Sequence, residues 1–311
     1  MRVCVVHGFV PTRPSIDPVS IDMPLTRSAT YAHAFFDALG GSERLALSLI
    51  QATARHSPPA DYIALRTGSQ TLGYLSPDHA DALAGALSQC ELQNQTLLWN
   101  AQDLAPAVRS AQLQAALVRL RDMGRLTGWR DEAFCFWLGT ESSPDPQQAA
   151  YLQVERAGFR FLGMMSHAVH INGFMPDGSM WCGQRSANKA TDPGMWDNLT
   201  AGGLAAGETW DRCARRELWE EAGFCMQAPQ DLLAMGRIRI SRVTPLGWHD
   251  EMLHIYNLSL PAGFVPRNQD GEVQAFECLA PAEVITRISA QQFTADAALA
   301  IAQGVLFPNA P

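Results

Sequence analysis

The sequence predicts an α/β (α+β) protein, in which a smaller α+β domain precedes a second domain. Two kinds of segment follow each other along the chain. Some place apolar residues at helical spacing, and others alternate polar with apolar residues as strands do. Glycine and proline mark the junctions between them. A length of 311 residues is enough for one large domain or two ordinary ones.

Three regions of the chain differ in character. Residues 1–30 are rich in proline, serine, threonine and aspartate and lack periodicity, which predicts a loose N-terminal extension. Residues 31–155 predict an α+β domain of short strands and amphipathic helices. Residues 156–311 predict a second domain, organised around a glycine-rich stretch and the helix that follows it.

The first domain begins with apolar residues at helical spacing and ends in a loop. Pro58 and Pro59 stop the first helix, Gly68 makes the turn between two strands, and Gly124 ends the last helix. The predicted order is a helix over 31–57, strands over 61–66 and 71–75, a helix over 77–87, a strand over 95–100, a helix over 105–123, an extended segment over 128–137 and a loop over 141–148.

The second domain opens with a predicted hairpin whose turn is Pro176-Asp177-Gly178. A long loop over 187–203 then leads to the glycine-rich stretch and a helix over Trp210–Ala222, with Thr209 as its N-cap and Gly223 as its stop. The remaining predicted elements are strands over 236–243, 249–260 and 272–279, a helix beginning at 281 and a helix over 295–303.

Residues 202–224, GGLAAGETWDRCARRELWEEAGF, are the most informative part of the chain. They match the pattern G-x5-E-x7-R-E-U-x-E-E-x-G-U, in which U is aliphatic or aromatic. Seven positions demand one residue type each at roughly 6% background frequency, so a chance match is on the order of one in a million or less. The matching residues are Gly202, Glu208, Arg216, Glu217, Leu218, Glu220, Glu221, Gly223 and Phe224.

The spacing of the glutamates predicts a metal site. Residues three and four apart on a helix share a face, so the carboxylates of Glu217, Glu220 and Glu221 converge. Three carboxylates in one patch repel each other unless a cation or a proton lies between them. Hard oxygen ligands suit Mg²⁺ or Mn²⁺, which take their remaining ligands from water and phosphate. We therefore expect a divalent cation that binds and orients a diphosphate.

The pattern is the Nudix box, and the chain resembles the Nudix hydrolases, which cleave a diphosphate linked to another moiety. The resemblance implies a Nudix α/β/α sandwich behind the smaller α+β domain. It also implies that Glu217, Glu220 and Glu221 are metal ligands with a catalytic role, that backbone carbonyls near Gly202 add a ligand, and that Arg216 holds Glu208.

Segments outside the box are similar to one Nudix subgroup, which carries an N-terminal domain of unknown function and is often labelled thiamine pyrophosphokinase-related. These segments are GWRDE (128–132), HAVHINGF (167–174), RSANKATDPGMWDN (185–198) and NQDGEVQAFE (268–277). Members are regarded as hydrolases that convert thiamine diphosphate, and preferentially its oxidised analogues, to the monophosphate.

The same resemblance suggests roles for residues outside the box. Arg185 and Lys189 would face the diphosphate of the substrate, and Trp196 would stack on its heterocycle. Many Nudix enzymes use a further acidic residue from beyond the box. We expect Glu272 to be that residue, with Glu251 as the second choice.

Composition limits the classes of partner. A net charge of −8 argues against a nucleic-acid backbone, and no apolar run approaches the length of about 20 residues that a membrane span needs. Seven cysteines without a CxxC pair fit reduced thiols and a cytoplasmic location. A small-molecule diphosphate is the expected partner, and a homodimer is compatible with the sequence.

Two alternatives to the thiamine hydrolase stay open. One is a nucleotide-type Nudix hydrolase that acts on an oxidised nucleoside triphosphate, ADP-ribose or a dinucleotide, because the box binds metal and diphosphate but not the leaving group. The other is a non-catalytic binding module. An isopentenyl diphosphate isomerase is excluded, since Ala201 and Gly203 occupy the positions of its catalytic cysteine and histidine.

Overall fold

A computed structural model describes residues 28–52, 56–139, 148–189, 191–226 and 232–306. The predicted extension over 1–30 and the predicted loop over 141–148 lie, apart from their last residues, outside these ranges. Within them, none of the helices combines the length and the apolar character needed to cross a bilayer.

The described chain alternates helices and strands. The helices are α1 (Ser28–Asp37), α2 (Gly41–Ala52), α3 (Pro77–Ala86), α4 (Pro106–Asp122), α5 (Arg156–Leu162), α6 (Trp210–Ala222), α7 (Pro281–Ser289) and α8 (Ala295–Leu306). The strands are β1 (Ile63–Thr67), β2 (Gln70–Leu75), β3 (Cys90–Gln93), β4 (Thr96–Trp99), β5 (Ala133–Phe136), β6 (Leu152–Glu155), β7 (Met165–Phe174), β8 (Met180–Arg185), β9 (Trp196–Asp197), β10 (Thr200–Gly203), β11 (Leu232–Thr244), β12 (Gly247–Ser259) and β13 (Val273–Leu279).

The first half contains a four-stranded sheet with the order β2-β1-β4-β3. Its predicted strands and the helices α3 and α4 are present within a few residues of the predicted bounds. The edge strand β3 was not predicted, because its sequence CELQ is short, mostly polar and exposed. The short elements β6 and α5 were not predicted either. Leu113 and Leu117 of α4 pack in one hydrophobic cluster with Leu65 and Leu97 of the sheet.

The segment predicted as one helix over 31–57 forms two helices, α1 and α2, with Gly40 at the break. Both helices pack in a hydrophobic cluster with the second half of the chain. Phe35 of α1 meets Phe174 of β7 edge to face, with ring centroids 5.5 Å apart, and Leu47 of α2 joins the same cluster. The boundary at residue 155 stays a prediction.

The second half is built on a seven-stranded mixed sheet. The order is β11-β12-β7-β8-β13, with β10 paired to β7 and β9 paired to β8. Strands β12 and β7 run parallel, and the predicted hairpin of β7 and β8 is antiparallel. The predicted loop over 187–203 was partly wrong, because β9 and β10 form within it. Glycines hide the strand pattern of TAGG, and the pairing of Thr200–Gly203 with β7 supplies the hydrogen bonds.

Helices cover both faces of this sheet. Ala214 and Leu218 of α6 pack with Ile171 of β7 on one face, whereas Leu299 of α8 packs with Leu253 of β12 on the other. This arrangement confirms the predicted α/β (α+β) class and the α/β/α sandwich. It also places α6 and the glycine-rich approach to it at one end of β7.

Candidate active site

Helix α6 begins and ends where its sequence predicts. The Thr209 side chain accepts a hydrogen bond from the Arg212 amide at 3.3 Å, which satisfies one of the free donors of the first turn. Gly223 ends the helix in the left-handed region with φ of 65°. Trp210 stacks on His254 of β12 with ring centroids 3.9 Å apart. The helix is therefore anchored at both ends and along one face.

The three glutamates of α6 form one patch beside β10. Glu217 and Glu221 are buried, whereas the Glu220 side chain is 40% exposed. Glu221 Oε2 accepts a hydrogen bond from the Ala201 amide at 2.9 Å. Arg216 forms ion pairs with Glu217 and with Glu220, the latter at 3.2 Å between Nη1 and Oε2. The helical spacing thus brings the carboxylates together as the sequence predicts.

Arg216 binds a fourth carboxylate from the approach to the helix. Its Nε and Nη2 donate to the two carboxylate oxygens of Glu208 at 2.8 and 2.9 Å, and Nη2 also donates to the Gly203 carbonyl at 3.1 Å. This two-pronged ion pair is the contact expected between Arg216 and Glu208. Since guanidinium and carboxylate match in shape, the pair fixes the glycine-rich turn on the helix.

Burial raises the pKa of two of the carboxyl groups. Desolvation raises the pKa of Glu217 to about 7, although Arg216 opposes the rise. Desolvation, followed by the charge of Glu217, raises the pKa of Glu221 to about 8, against the opposing effect of Lys189. These are groups whose charged forms are stabilised by an added cation.

The loop between β8 and β9 brings a lysine onto the glutamate patch. Lys189 Nζ lies 3.6 Å from Glu221 Oε1 and forms an ion pair with Glu272 at the start of β13. Arg185, at the end of β8, donates to Asp197 Oδ2 at 3.0 Å and to the Thr191 carbonyl. Four of the residues that the sequence suggested outside the box therefore line one cleft with Glu217 and Glu220; they are Arg185, Lys189, Glu251 and Glu272.

Trp196 does not lie where its suggested role requires. It is 8% exposed and packs in the cluster formed by α1, α2, α7 and α8, where Arg287 stacks 4.9 Å above its ring. It is not among the described residues that line the cleft. The cause is β9, which pairs Trp196 with Gln184 of β8 and turns the indole toward the core.

The cleft has a volume of about 530 Å³ and a second wall, whose residues the sequence did not identify. This wall comes from α5 and from the segments before and within β5. It is aromatic and basic, with the residues Arg125, Arg130, Phe134, Arg156, Phe159, Arg160 and Phe161. Phe134 lies against Gly203, and the Ala206 amide donates to the Ala133 carbonyl at 2.8 Å. The first half of the chain thus closes the cleft opposite α6. The segment GWRDE (128–132) was the one part of the sequence that pointed to this wall.

Comparison with known proteins agrees with this geometry. The stretch 167–300 matches the sequence family described as NUDIX domain. This stretch of the chain resembles a Nudix domain. Two curated relatives are Nudix hydrolase 20, chloroplastic, and Nudix hydrolase 24, chloroplastic, both from Arabidopsis thaliana. They are 32% identical over 191 residues and 30% identical over 205 residues, matches that cover 60% and 65% of this chain.

The chain spans about half the length of the curated relatives it matches, 50% and 54% respectively. The matched length of 191 residues exceeds the stretch 167–300, so the similarity extends beyond the Nudix domain. Among solved structures, the crystal structure of DR0079 from Deinococcus radiodurans aligns with 52% of this chain and 92% of its own, with a TM-score of 0.40 and 20% identity.

Proposed function

We propose that this protein is a divalent-metal-dependent Nudix pyrophosphohydrolase that cleaves the diphosphate of a small molecule. The proposal is carried by the glutamate patch at the cleft: Glu217 and Glu220 line the cleft with Lys189, and the buried Glu221 lies 3.6 Å from the Lys189 ammonium group. A patch of carboxylates attracts a cation, and the lysine beside it attracts an anion. A metal-bound diphosphate satisfies both requirements at once.

The residues at the patch fit Mg²⁺ or Mn²⁺. All the side-chain donors are carboxylate oxygens, and the two buried ones, Glu217 and Glu221, have pKa values raised by desolvation. Gly202 has no side chain, which leaves its backbone open beside the Glu217 carboxylate. Glu217, Glu220, Glu221 and the Gly202 carbonyl would hold the ion. When bound, such an ion neutralises the diphosphate and acidifies a coordinated water.

The remaining residues would bind and orient the substrate. Lys189 and Arg185 would meet the diphosphate. The existing ion pair of Lys189 with Glu272 holds its ammonium group in place. Glu220 is the box carboxylate most open to solvent, which suits it to accept a proton from the attacking water. Glu272, also on the cleft wall, would be the acidic residue from beyond the box.

The positive charge of the basic wall affects which leaving groups the cleft accepts. Arg125 and Arg156 form ion pairs with Asp78 and Glu132, and Arg130 and Arg160 add two more positive charges to the cleft. A cationic thiazolium ring would be repelled there, whereas a neutral oxidised ring would not. We therefore propose oxidised thiamine diphosphate analogues as substrates in preference to thiamine diphosphate, with the monophosphate as product. The same wall favours the anionic groups of a nucleotide, which is the second candidate.

A phosphate-release assay with Mg²⁺ or Mn²⁺ tests these proposals. The panel holds thiamine diphosphate, oxothiamine diphosphate, ADP-ribose, NADH and 8-oxo-dGTP. We expect turnover of oxothiamine diphosphate above the others and no turnover by Glu221→Gln. The exposed Glu91 of β3 lies outside the cleft, so Glu91→Gln is the matched control. Turnover of a nucleotide alone would discard the thiamine assignment. Failure of the whole panel would favour a binding module.

A further inference from the structure

Three side chains outside the Nudix box, His249, Glu251 and Asp296, converge just behind the cleft wall, which Glu251 and Asp296 line. We propose that they form a second metal site, which binds a borderline divalent transition ion such as Zn²⁺ or Co²⁺. The proposal does not rest on the hydrolase activity, because none of the three ligands is a box glutamate and the ion is of a different class.

The fold places these residues on the face of the sheet opposite the box helix. Side chains two apart along a strand share a face, so His249 and Glu251 of β12 point the same way as Leu253. Leu253 packs in the cluster with α8, and Asp296 lies in the first turn of that helix. The box glutamates come instead from α6, on the other face.

The ligand atoms have spacings that suit a common ion. His249 Nε2 lies 3.7 Å from Glu251 Oε2 and 3.6 Å from Asp296 Oδ2, and one ligand atom from each residue lies within 4.8 Å of the others. Atoms bound at about 2.1 Å to a tetrahedral ion lie about 3.4 Å apart. A small inward movement of the side chains would close the site.

His249 is a fully buried polar group whose ring nitrogens make no hydrogen bond with the described part of the chain. Its Nε2 lies at ion-pair distance from both carboxylates, 3.7 and 3.6 Å, which is longer than a hydrogen bond. Buried polar groups in folded proteins are nearly always hydrogen-bonded, so an imidazole that faces two carboxylates without such a bond points to a ligand between them. A metal ion on Nε2 would satisfy it.

Each carboxylate accepts a hydrogen bond on one oxygen and turns its other oxygen toward His249. Ser166 donates to Glu251 Oε1 at 2.7 Å, and Arg242 Nη1 donates to Asp296 Oδ1 at 2.6 Å. Arg242 Nη2 also reaches Asp296 Oδ2, at the longer distance of 3.3 Å. Metal-bound carboxylates are typically oriented by hydrogen bonds of this kind.

The donor set selects the class of ion. Imidazole nitrogen suits Zn²⁺ and related transition ions, whereas Mg²⁺ prefers oxygen ligands alone. Glu251 and Asp296 retain 13% and 15% of their side-chain exposure and line the cleft, which gives an ion a path of entry. Three protein ligands leave the fourth position of a tetrahedral ion to solvent or to an anion in the cleft.

Cobalt binding to the full chain tests the proposal. The protein is stripped with a chelator and titrated with Co²⁺, and visible absorption and bound-metal stoichiometry are recorded for the wild type, His249→Ala, Glu251→Gln and Glu220→Gln. We expect the intense bands of a low-coordinate Co²⁺ site in the wild type and in Glu220→Gln. Both variants of the new site should lose them, with at least a tenfold weaker affinity.

Glu251→Gln keeps the size of the side chain and so decides the test if His249→Ala fails to fold, with circular dichroism and melting temperature as folding controls. The proposal is overturned if the wild type shows no such bands or if Glu251→Gln retains them. In either case the three side chains form a metal-free ion-pair network. The readout does not involve turnover, so an inactive enzyme would leave this result unaffected.

Discussion

The carboxylate of Glu217 occupies the space next to the Gly202 backbone where a side chain would begin. A β-carbon added to Gly202 would overlap both Glu217 oxygens and their carbon. The glycine that opens the box and the first glutamate of the helical patch therefore depend on each other sterically. Arg216 holds the same carboxylate, which limits its freedom to move aside.

This overlap predicts the effect of Gly202→Ala. The new methyl group would push Glu217 off β10, so we expect kcat to fall by about 100-fold or more and the apparent affinity for Mg²⁺ to weaken. Steady-state kinetics against Mg²⁺ concentration would measure both. Gly85→Ala in α3 is the control, because no atom lies within 4 Å of its added β-carbon. An alanine at 202 that left kcat unchanged would contradict the assigned geometry.

The carboxylate patch predicts separate effects on turnover and stability. Glutamine has the shape of a protonated glutamate, so Glu221→Gln removes a buried charge without creating a cavity. We expect turnover to be lost while the melting temperature without metal stays the same or rises. Calorimetry with a chelator and kinetics at saturating Mg²⁺ would measure these. Wild-type kcat in this variant would refute the metal-ligand role.

The raised pKa values of Glu217 and Glu221 predict how pH acts on stability. Between the ordinary value of 4.5 and the folded values of about 7 and about 8, the metal-free native state holds more protons than the unfolded state. This contribution to stability is complete below about pH 4.5 and is lost as pH rises through 7 and 8.

Metal binding requires the deprotonated carboxylates, so added Mg²⁺ should raise the melting temperature more at about pH 8.5 than at about pH 6. Melting curves with Mg²⁺ and with a chelator at both pH values would measure the difference. The dependence should flatten in Glu221→Gln. An equal effect of Mg²⁺ at both pH values would show that these groups do not titrate with the metal.

The two-pronged contact of Arg216 with Glu208 predicts that lysine cannot replace this arginine. Arg216→Lys keeps the charge but loses the paired geometry, and we expect a loss of about 1–3 kcal/mol in the free energy of unfolding together with lower kcat. The neighbouring Arg215 forms an ordinary i,i+4 pair with Asp211, so Arg215→Lys should change stability by less than about 0.5 kcal/mol. Urea denaturation compares them, and equal losses would argue against a special role for Arg216.

The basic wall predicts a specificity change. Arg130→Ala and Arg160→Ala remove positive charge from the basic wall of the cleft, where we propose that the leaving group binds. We expect KM for a nucleotide such as ADP-ribose to rise several-fold, with a smaller change for a neutral oxidised ring. Arg66 of β1 lies outside the cleft, so Arg66→Ala serves as the control. Unchanged KM values for every compound would remove this wall from substrate binding.

Local sequence patterns predicted the helix of the box and the arrangement of its glutamates. The spacing in the box determined α6, its caps and the shared face of Glu217, Glu220 and Glu221, because helical geometry relates residues only three and four apart. Arg216 and Glu208, which form an ion pair, are also fewer than ten residues apart in the sequence. The alternation of apolar residues likewise predicted the long strands β7, β11 and β12 within a few residues.

Contacts between distant segments were decided only by the tertiary structure. The pairing of β9 with β8 turned Trp196 into the core, and the packing of β5 against β10 added the wall with Arg130 and Phe134 to the cleft. The approach of Asp296 to His249 joins α8 to β12. The repeat of apolar residues along one helix or strand does not encode contacts between distant segments, because these contacts depend on how whole sheets and helices pack. The sequence by itself determined helix α6 and its patch of glutamates, and tertiary packing determined what faces them.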